Sequence, residues 1–143
     1  MATPSPSITF NGNAEEAFNF YKSVFGGEFV GLTRFSDIPD GGNVKPNEKE
    51  KLMHVSLPIG KNNVLMATDI LESTGGHFIT GTNFHISITA DSKEEATKVF
   101  NGISEGGEVS MPLADTFWGD YFGMLTDKFG IQWMINYTYP KDK

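Results

Sequence analysis

Few side chains in this sequence can carry chemistry, and their types narrow what that chemistry is. Two of the three histidines, His54 and His85, fall in alternating stretches, MHVSL and FHISIT, that put each imidazole among polar neighbours. A neutral imidazole can ligate a divalent cation or move a proton near neutral pH. Asp69 closes the stretch VLMATD, and a site assembled from His54, His85 and Asp69 would have a metal-binding donor set. His77 sits in the glycine-rich run LESTGGHFITGT and reads as a surface residue. With no cysteine, the chain has no disulfide, thiolate metal site or cysteine nucleophile, a composition compatible with a reducing or an oxidising compartment. P-loop and GxGxxG patterns are also missing, which removes the common nucleotide-hydrolase and dinucleotide signatures.

The elements that must position these groups are strands with two unlike faces. Period-two alternation puts Ile8 and Phe10; Met53, Val55 and Leu57; Leu65 and Ala67; Phe84, Ile86 and Ile88; and Ile131, Trp133 and Ile135 on an apolar face. The other face receives Ser7, Thr9 and Asn11; His54 and Ser56; Met66 and Thr68; His85, Ser87 and Thr89; and Gln132, Met134 and Asn136. Small polar groups, imidazoles and adaptable methionines suit the wall of a concave small-molecule cavity. The alternative is an ordinary solvent-exposed sheet face. The expected ligand-binding set is His54, Met66, Asp69, His85, Met134 and Asn136, with Trp118 and Tyr121 from the aromatic run Phe117, Trp118, Tyr121 and Phe122 roofing the cavity or covering a dimer contact.

The strands surround a duplicated helix. Glu15 to Val30 reads EEAFNFYKSVFGGEFV, and Glu94 to Ser110 reads EEATKVFNGISEGGEVS. Asn13 and Ser92 are N-cap residues, each followed three positions later by a glutamate, Glu16 and Glu95, as a capping box requires. Ala17, Phe20, Tyr21, Val24 and Phe25 form one helical stripe, and Ala96, Val99, Phe100 and Ile103 form the other. Both copies stop at Gly-Gly-Glu, Gly26 to Glu28 and Gly106 to Glu108, where glycine can take the left-handed conformation.

Expected strands are Ser7 to Asn11, Phe29 to Phe35, Leu52 to Leu57 and Val64 to Asp69 in the first copy. In the second they are Asn83 to Thr89, Glu108 to Met111, Gly123 to Thr126 and Ile131 to Tyr137. Turns are expected at Pro58 to Asn63 and Asp127 to Gly130. Ser36 to Lys51 is polar and breaker-rich, and reads as a mobile surface loop or a flap over a site. The whole is expected to be α+β: one domain, residues 1–143, of two modules at about 5–70 and 83–138, joined by a 71–82 hinge.

Charge sets the partners. A net charge of −7, without clustered Lys and Arg, argues against nucleic acid. No apolar run approaches membrane-spanning length and the first residues lack a signal pattern, so no membrane is expected and a cytoplasmic location follows by elimination.

The phrases FNGNAEEAFNFYKSVFGGEF, LMHVSLPIGKNNVLMATD and FWGDYFGMLTDKFGIQWMINY resemble the vicinal oxygen chelate superfamily of glyoxalases, bleomycin-resistance proteins and extradiol dioxygenases, in its PhnB-like branch. The resemblance covers nearly the whole chain. It implies a glyoxalase-like fold of two tandem βαβββ modules, a mixed sheet curved into a U-shaped cavity, and a homodimer. Metal-using members place His or Gln on the first strand of each module and Glu on the last, leaving a divalent cation open to polarise a substrate with neighbouring oxygens.

His85 matches the first-strand histidine of the second module. The 79 positions that separate Ala17 from Ala96 put Pro6 opposite it, and the last-strand positions fall on Met66 and Met134. Thioethers are poor ligands for these cations. The expectation is therefore a small-molecule binder of PhnB-like type lacking the usual metal site and without an assigned cofactor. His85 and His54 are the residues left for a divalent metal if one binds. The alternatives are a metal-dependent lyase, isomerase or dioxygenase, and a bleomycin-resistance-like drug-binding protein, for which Asp37, Asp40, Glu48, Glu50, Asp69 and Glu72 would supply negative charge. No catalytic residue is assigned.

Overall fold

The structure, a computed structural model, describes residues 2–39, 44–74 and 77–141. The chain divides into two compact units, Met1–Ile79 and Thr80–Lys143. Each has the order strand, helix, three strands: β1 (Ser7–Phe10), α1 (Ala14–Phe25), β2 (Gly31–Arg34), β3 (Leu52–Ile59) and β4 (Asn63–Asp69), then β5 (Ile86–Thr89), α2 (Lys93–Ser104), β6 (Glu108–Asp115), β7 (Asp120–Thr126) and β8 (Gln132–Thr138). The first unit carries a sheet ordered β1-β4-β3-β2 and the second one ordered β5-β8-β7-β6. In each, the first strand runs parallel to the last and the remaining pairs are antiparallel. The fold is α+β, two βαβββ modules with mixed sheets, as expected.

The helix faces explain the cores. On α2, Ala96, Val99, Phe100 and Ile103 are buried, the stripe read from the sequence. On α1 the stripe is rotated: Ala14, Ala17, Phe18 and Tyr21 are buried, while Phe20, Val24 and Phe25 are only half-buried. Phe18 replaces Phe20 at the centre because its ring packs edge-on between Phe10 at 6.2 Å and Tyr21 at 5.5 Å. Trp133, Leu125 and Ile135 complete the second core.

The capping boxes differ between copies. Ser92 Oγ accepts from Glu95 N at 3.0 Å, and Glu95 Oε1 reaches back to Asp91 N at 2.7 Å, one residue before the expected partner. Asn13 holds the N-cap position of α1 but its side chain caps nothing. Asp69 Oδ1 does that work instead, accepting Ala14 N at 2.9 Å.

Two inward assignments fail. Thr33 pairs with His54 and Arg34 with Leu52, so Met53 is the extra residue of a β-bulge. Leu52 takes the core position and Met53 stays 38% exposed. Phe84 precedes β5 and is 64% exposed. The expected mobile loop is tied down at its described ends, by Phe35 N to Lys51 O at 3.0 Å and Ser36 N to Lys49 O at 2.9 Å. Residues 40–43 of that loop, Asp40 among them, and 75–76 of the expected hinge lie outside the described residues.

Candidate functional site

Directly paired residues of neighbouring strands project from the same face. In the first unit, Ser7, Met66, Ser56 and Gly31 form one row across the helix-free face. Thr9 with Thr68, and His54 with Thr33, lie one row further along. His54 is half-buried and its Nε2 shares a 2.7 Å hydrogen bond with Ser56 Oγ, which holds the ring against the sheet.

The second unit repeats the pattern with different chemistry. Ser87, Met134, Met124 and Met111 form one row, and Thr89, Asn136, Phe122 and Ala114 form the next. Asn136 Nδ2 donates to Thr138 Oγ1 at 3.3 Å, whereas its Oδ1 is buried and accepts no hydrogen bond. Trp118 lies in the β6–β7 turn, 54% exposed, with its ring 6.1 Å from Phe122 and its Nε1 donating to Asp120 Oδ2 at 3.0 Å. His85 is half-buried just ahead of β5.

Met66, Met134, Asn136 and His54 therefore stand on helix-free faces as expected, and Trp118 borders one of them through Phe122. Two residues of the expected set do not join them. Asp69 points to the helix-covered side, 4% exposed, where Oδ1 takes Ala14 N and Oδ2 takes Leu52 N, each at 2.9 Å. Tyr121 also faces its helix, with its hydroxyl 3.1 Å from Thr97 Oγ1 and Lys93 Nζ 4.8 Å over its ring. The period-two rule already carried both signals, since Asp69 shares parity with Leu65 and Ala67, and Tyr121 with Leu125.

Met111 and Met124 are the residues the sequence reading missed on this face. Parity with Phe122 would have found Met124, but bulges on either side of Met111 break any count along β6.

The shifted groups of the second unit lie on the helix-covered side. There the hydroxyl of Tyr139, bonded to the Asp115 carboxylate, is held above the usual phenol range, and Lys93 is raised chiefly by Tyr139. An open groove of about 540 Å³ follows Lys93, Glu94, Thr97 and Lys98 along α2, away from Met134 and Asn136.

The strand register also tests the divalent-metal set. Ser7 pairs with Met66 as Ser87 pairs with Met134, so the two methionines are equivalent positions of the two last strands. Matching Ser7 to Ser87 shifts the count by one from the helix spacing, because Gly12 (φ +95°) adds a residue before α1. His85 is then matched by Ser5 rather than Pro6. One imidazole, one hydroxyl and two thioethers do not fit a hard or borderline divalent cation. Among the described residues, no three His, Asp or Glu side chains gather closely enough to hold a metal ion.

Comparison with known proteins agrees with this architecture. A model of the Glyoxalase/Bleomycin resistance protein/Dioxygenase superfamily matches residues 8–135. YjdN of Escherichia coli is 27% identical over 140 residues, covering 92% of each chain. The crystal structure of PA1353 from Pseudomonas aeruginosa is 38% identical, with a TM-score of 0.84 over 96% of this chain and 98% of that one. A Bacillus cereus protein described as a putative 3-demethylubiquinone-9 3-methyltransferase, PhnB protein, is 27% identical, with a TM-score of 0.75 over 96% of this chain and all of that one. No helix among the described residues is long and apolar enough to cross a membrane.

Proposed function

Because the chain belongs to the Glyoxalase/Bleomycin resistance protein/Dioxygenase superfamily, we propose that it binds a small molecule on the helix-free faces of its sheets, without the divalent centre of the superfamily's metal-using members. The observation that carries this reading is Asn136 Oδ1, a buried acceptor with no hydrogen-bond partner. Such an atom left alone costs about 1–3 kcal/mol, which a ligand N–H or O–H reaching it would recover. Around it stand Thr89, Phe122 and, one row away, Met134, a polar and apolar mixture suited to holding an organic molecule. His54 and Met66 on the helix-free face of the first unit, and His85 and Trp118 in the second, belong to the same reading as ligand-contact groups, and a second copy of the chain as its partner.

A thermal-shift screen of small molecules carrying amide or hydroxyl donors, with cationic glycopeptides in the panel, tests it. A compound that raises the melting temperature of the native protein and loses that effect in Asn136→Ala is the expected result. Metal analysis of the purified protein is the opposing test. Stoichiometric zinc, nickel, manganese or iron that disappears in His85→Ala would overturn the metal-free reading in favour of a metal-dependent lyase, isomerase or dioxygenase. The methyltransferase wording attached to the Bacillus cereus protein is not extended to this chain, whose sequence contains no recognisable cofactor-binding loop.

A further inference from the structure

Half of the six methionines of this chain stand side by side on one sheet. Met134 of β8 pairs with Met124 of β7, and Met124 pairs with Met111 of β6, so three thioethers occupy adjacent strands in a single row. Strands lie about 4.8 Å apart, which puts the outer two backbones about 10 Å from each other, with Met124 between them. Methionine is unbranched and has three rotatable bonds, so the flanking sulfurs can swing inward over the central one. Met111 is 44% exposed and Met124 and Met134 are half-buried, so solutes can reach the row.

The donors decide what would bind. Thioether sulfur is soft and uncharged, which makes it a poor partner for zinc, manganese or magnesium and a good one for copper in its monovalent state. The row includes no carboxylate that would attract a hard cation, since its fourth member is Ser87. The net charge of −7 still favours the approach of a cation to the molecule as a whole. We propose that Met111, Met124 and Met134 form a three-thioether site for Cu(I). This site goes beyond the small-molecule reading and shares only Met134 with it.

Anaerobic titration of the full chain with Cu(I), in competition with the colorimetric chelator bathocuproine disulfonate, tests the assignment. The expected result is one Cu(I) withheld from the chelator per chain, an at least tenfold weaker hold in Met124→Leu, and an unchanged hold in Met53→Leu. Leucine nearly conserves the volume of methionine. Met111→Leu, on the exposed edge strand, carries the same expectation and decides the matter should Met124→Leu fail to fold. The proposal is overturned if the native chain withholds no Cu(I), if the variants of the row hold it as tightly as the native chain, or if Met53→Leu loses as much as they do.

Discussion

Asp69 caps α1 through Ala14, a residue 55 positions earlier, by accepting its backbone N–H at 2.9 Å. The other oxygen of the same buried carboxylate accepts Leu52 N at 2.9 Å, so one side chain ties the start of the helix to the start of β3. Asp127 does a comparable job in the second unit. Its Oδ1 accepts Phe129 N and Ile131 N at 2.8 and 3.0 Å, and its Oδ2 accepts the buried Trp133 Nε1 at 2.9 Å.

Asp69→Ala leaves two buried backbone donors without their acceptor, and Asp127→Ala strands two backbone donors and an indole. A loss of about 2–4 kcal/mol is expected for each, since an orphaned buried donor costs about 1–3 kcal/mol. Urea unfolding measures it. A loss below about 1 kcal/mol for Asp69→Ala would mean that this carboxylate does not organise the first unit.

The two N-cap positions should respond unequally although they occupy the same place in the repeat. Ser92→Ala removes a working cap and is expected to cost about 1 kcal/mol. Asn13→Ala removes a side chain that caps nothing and should change stability by less than about 0.5 kcal/mol. Thermal unfolding of the two variants side by side would contradict the assignment if Asn13→Ala proved the more damaging.

Glycines at close approaches should resist substitution more than glycines in open turns. A Cβ on Gly107 would stand 2.3 Å from Thr126 O, and one on Gly123 would stand 2.7 Å from Phe100 Cε2 and 2.9 Å from Leu113 Cα. Gly123→Ala is expected to cost about 1–3 kcal/mol by overpacking, and Gly107→Ala at least as much because its nearest obstacle is closer and all three of its nearest obstacles are backbone. Chemical denaturation is the check, with native-like stability of either variant as the contrary outcome.

The pair between Arg34 and Glu15 predicts a small, pH-dependent contribution. Arg34 Nη1 and Nη2 donate to the two Glu15 oxygens at 2.9 and 2.7 Å, and that hydrogen bonding holds Glu15 below its ordinary value of 4.5. A folded-state pKa below the unfolded one gives stability that is present above the unfolded value and lost as pH falls through the folded one. Arg34→Met should therefore cost about 0.2–1 kcal/mol at neutral pH. The gap from the native protein should close as the solution is acidified below the usual glutamate range. A gap that widened on acidification would contradict the pairing.

Much of this molecule was legible in the chain itself, for a local reason. Helix stripes, N-cap residues, glycine stops and period-two alternation depend on neighbours within a few positions, so α2, its four-residue stripe and the parity of Asn136 and Met134 could be read directly. The errors arose where one residue is inserted or removed from such a count. Met53 is looped out by a bulge, Gly12 shifts β1 by one residue against β5, and two irregularities surround Met111.

Sequence alone determined that the chain is built from two βαβββ units with polar and apolar strand faces. Tertiary structure alone decided which groups become neighbours. Hydrogen bonding joins β5 to β8 before β7 and β6, so Ser87, Met134, Met124 and Met111 meet in a row that no local count along the chain predicts. The corresponding pairing of β1 with β4 in the first unit turns Asp69 from a candidate ligand into a helix cap, because a buried carboxylate needs hydrogen-bond donors and the backbone N–H groups of Ala14 and Leu52 converge on it.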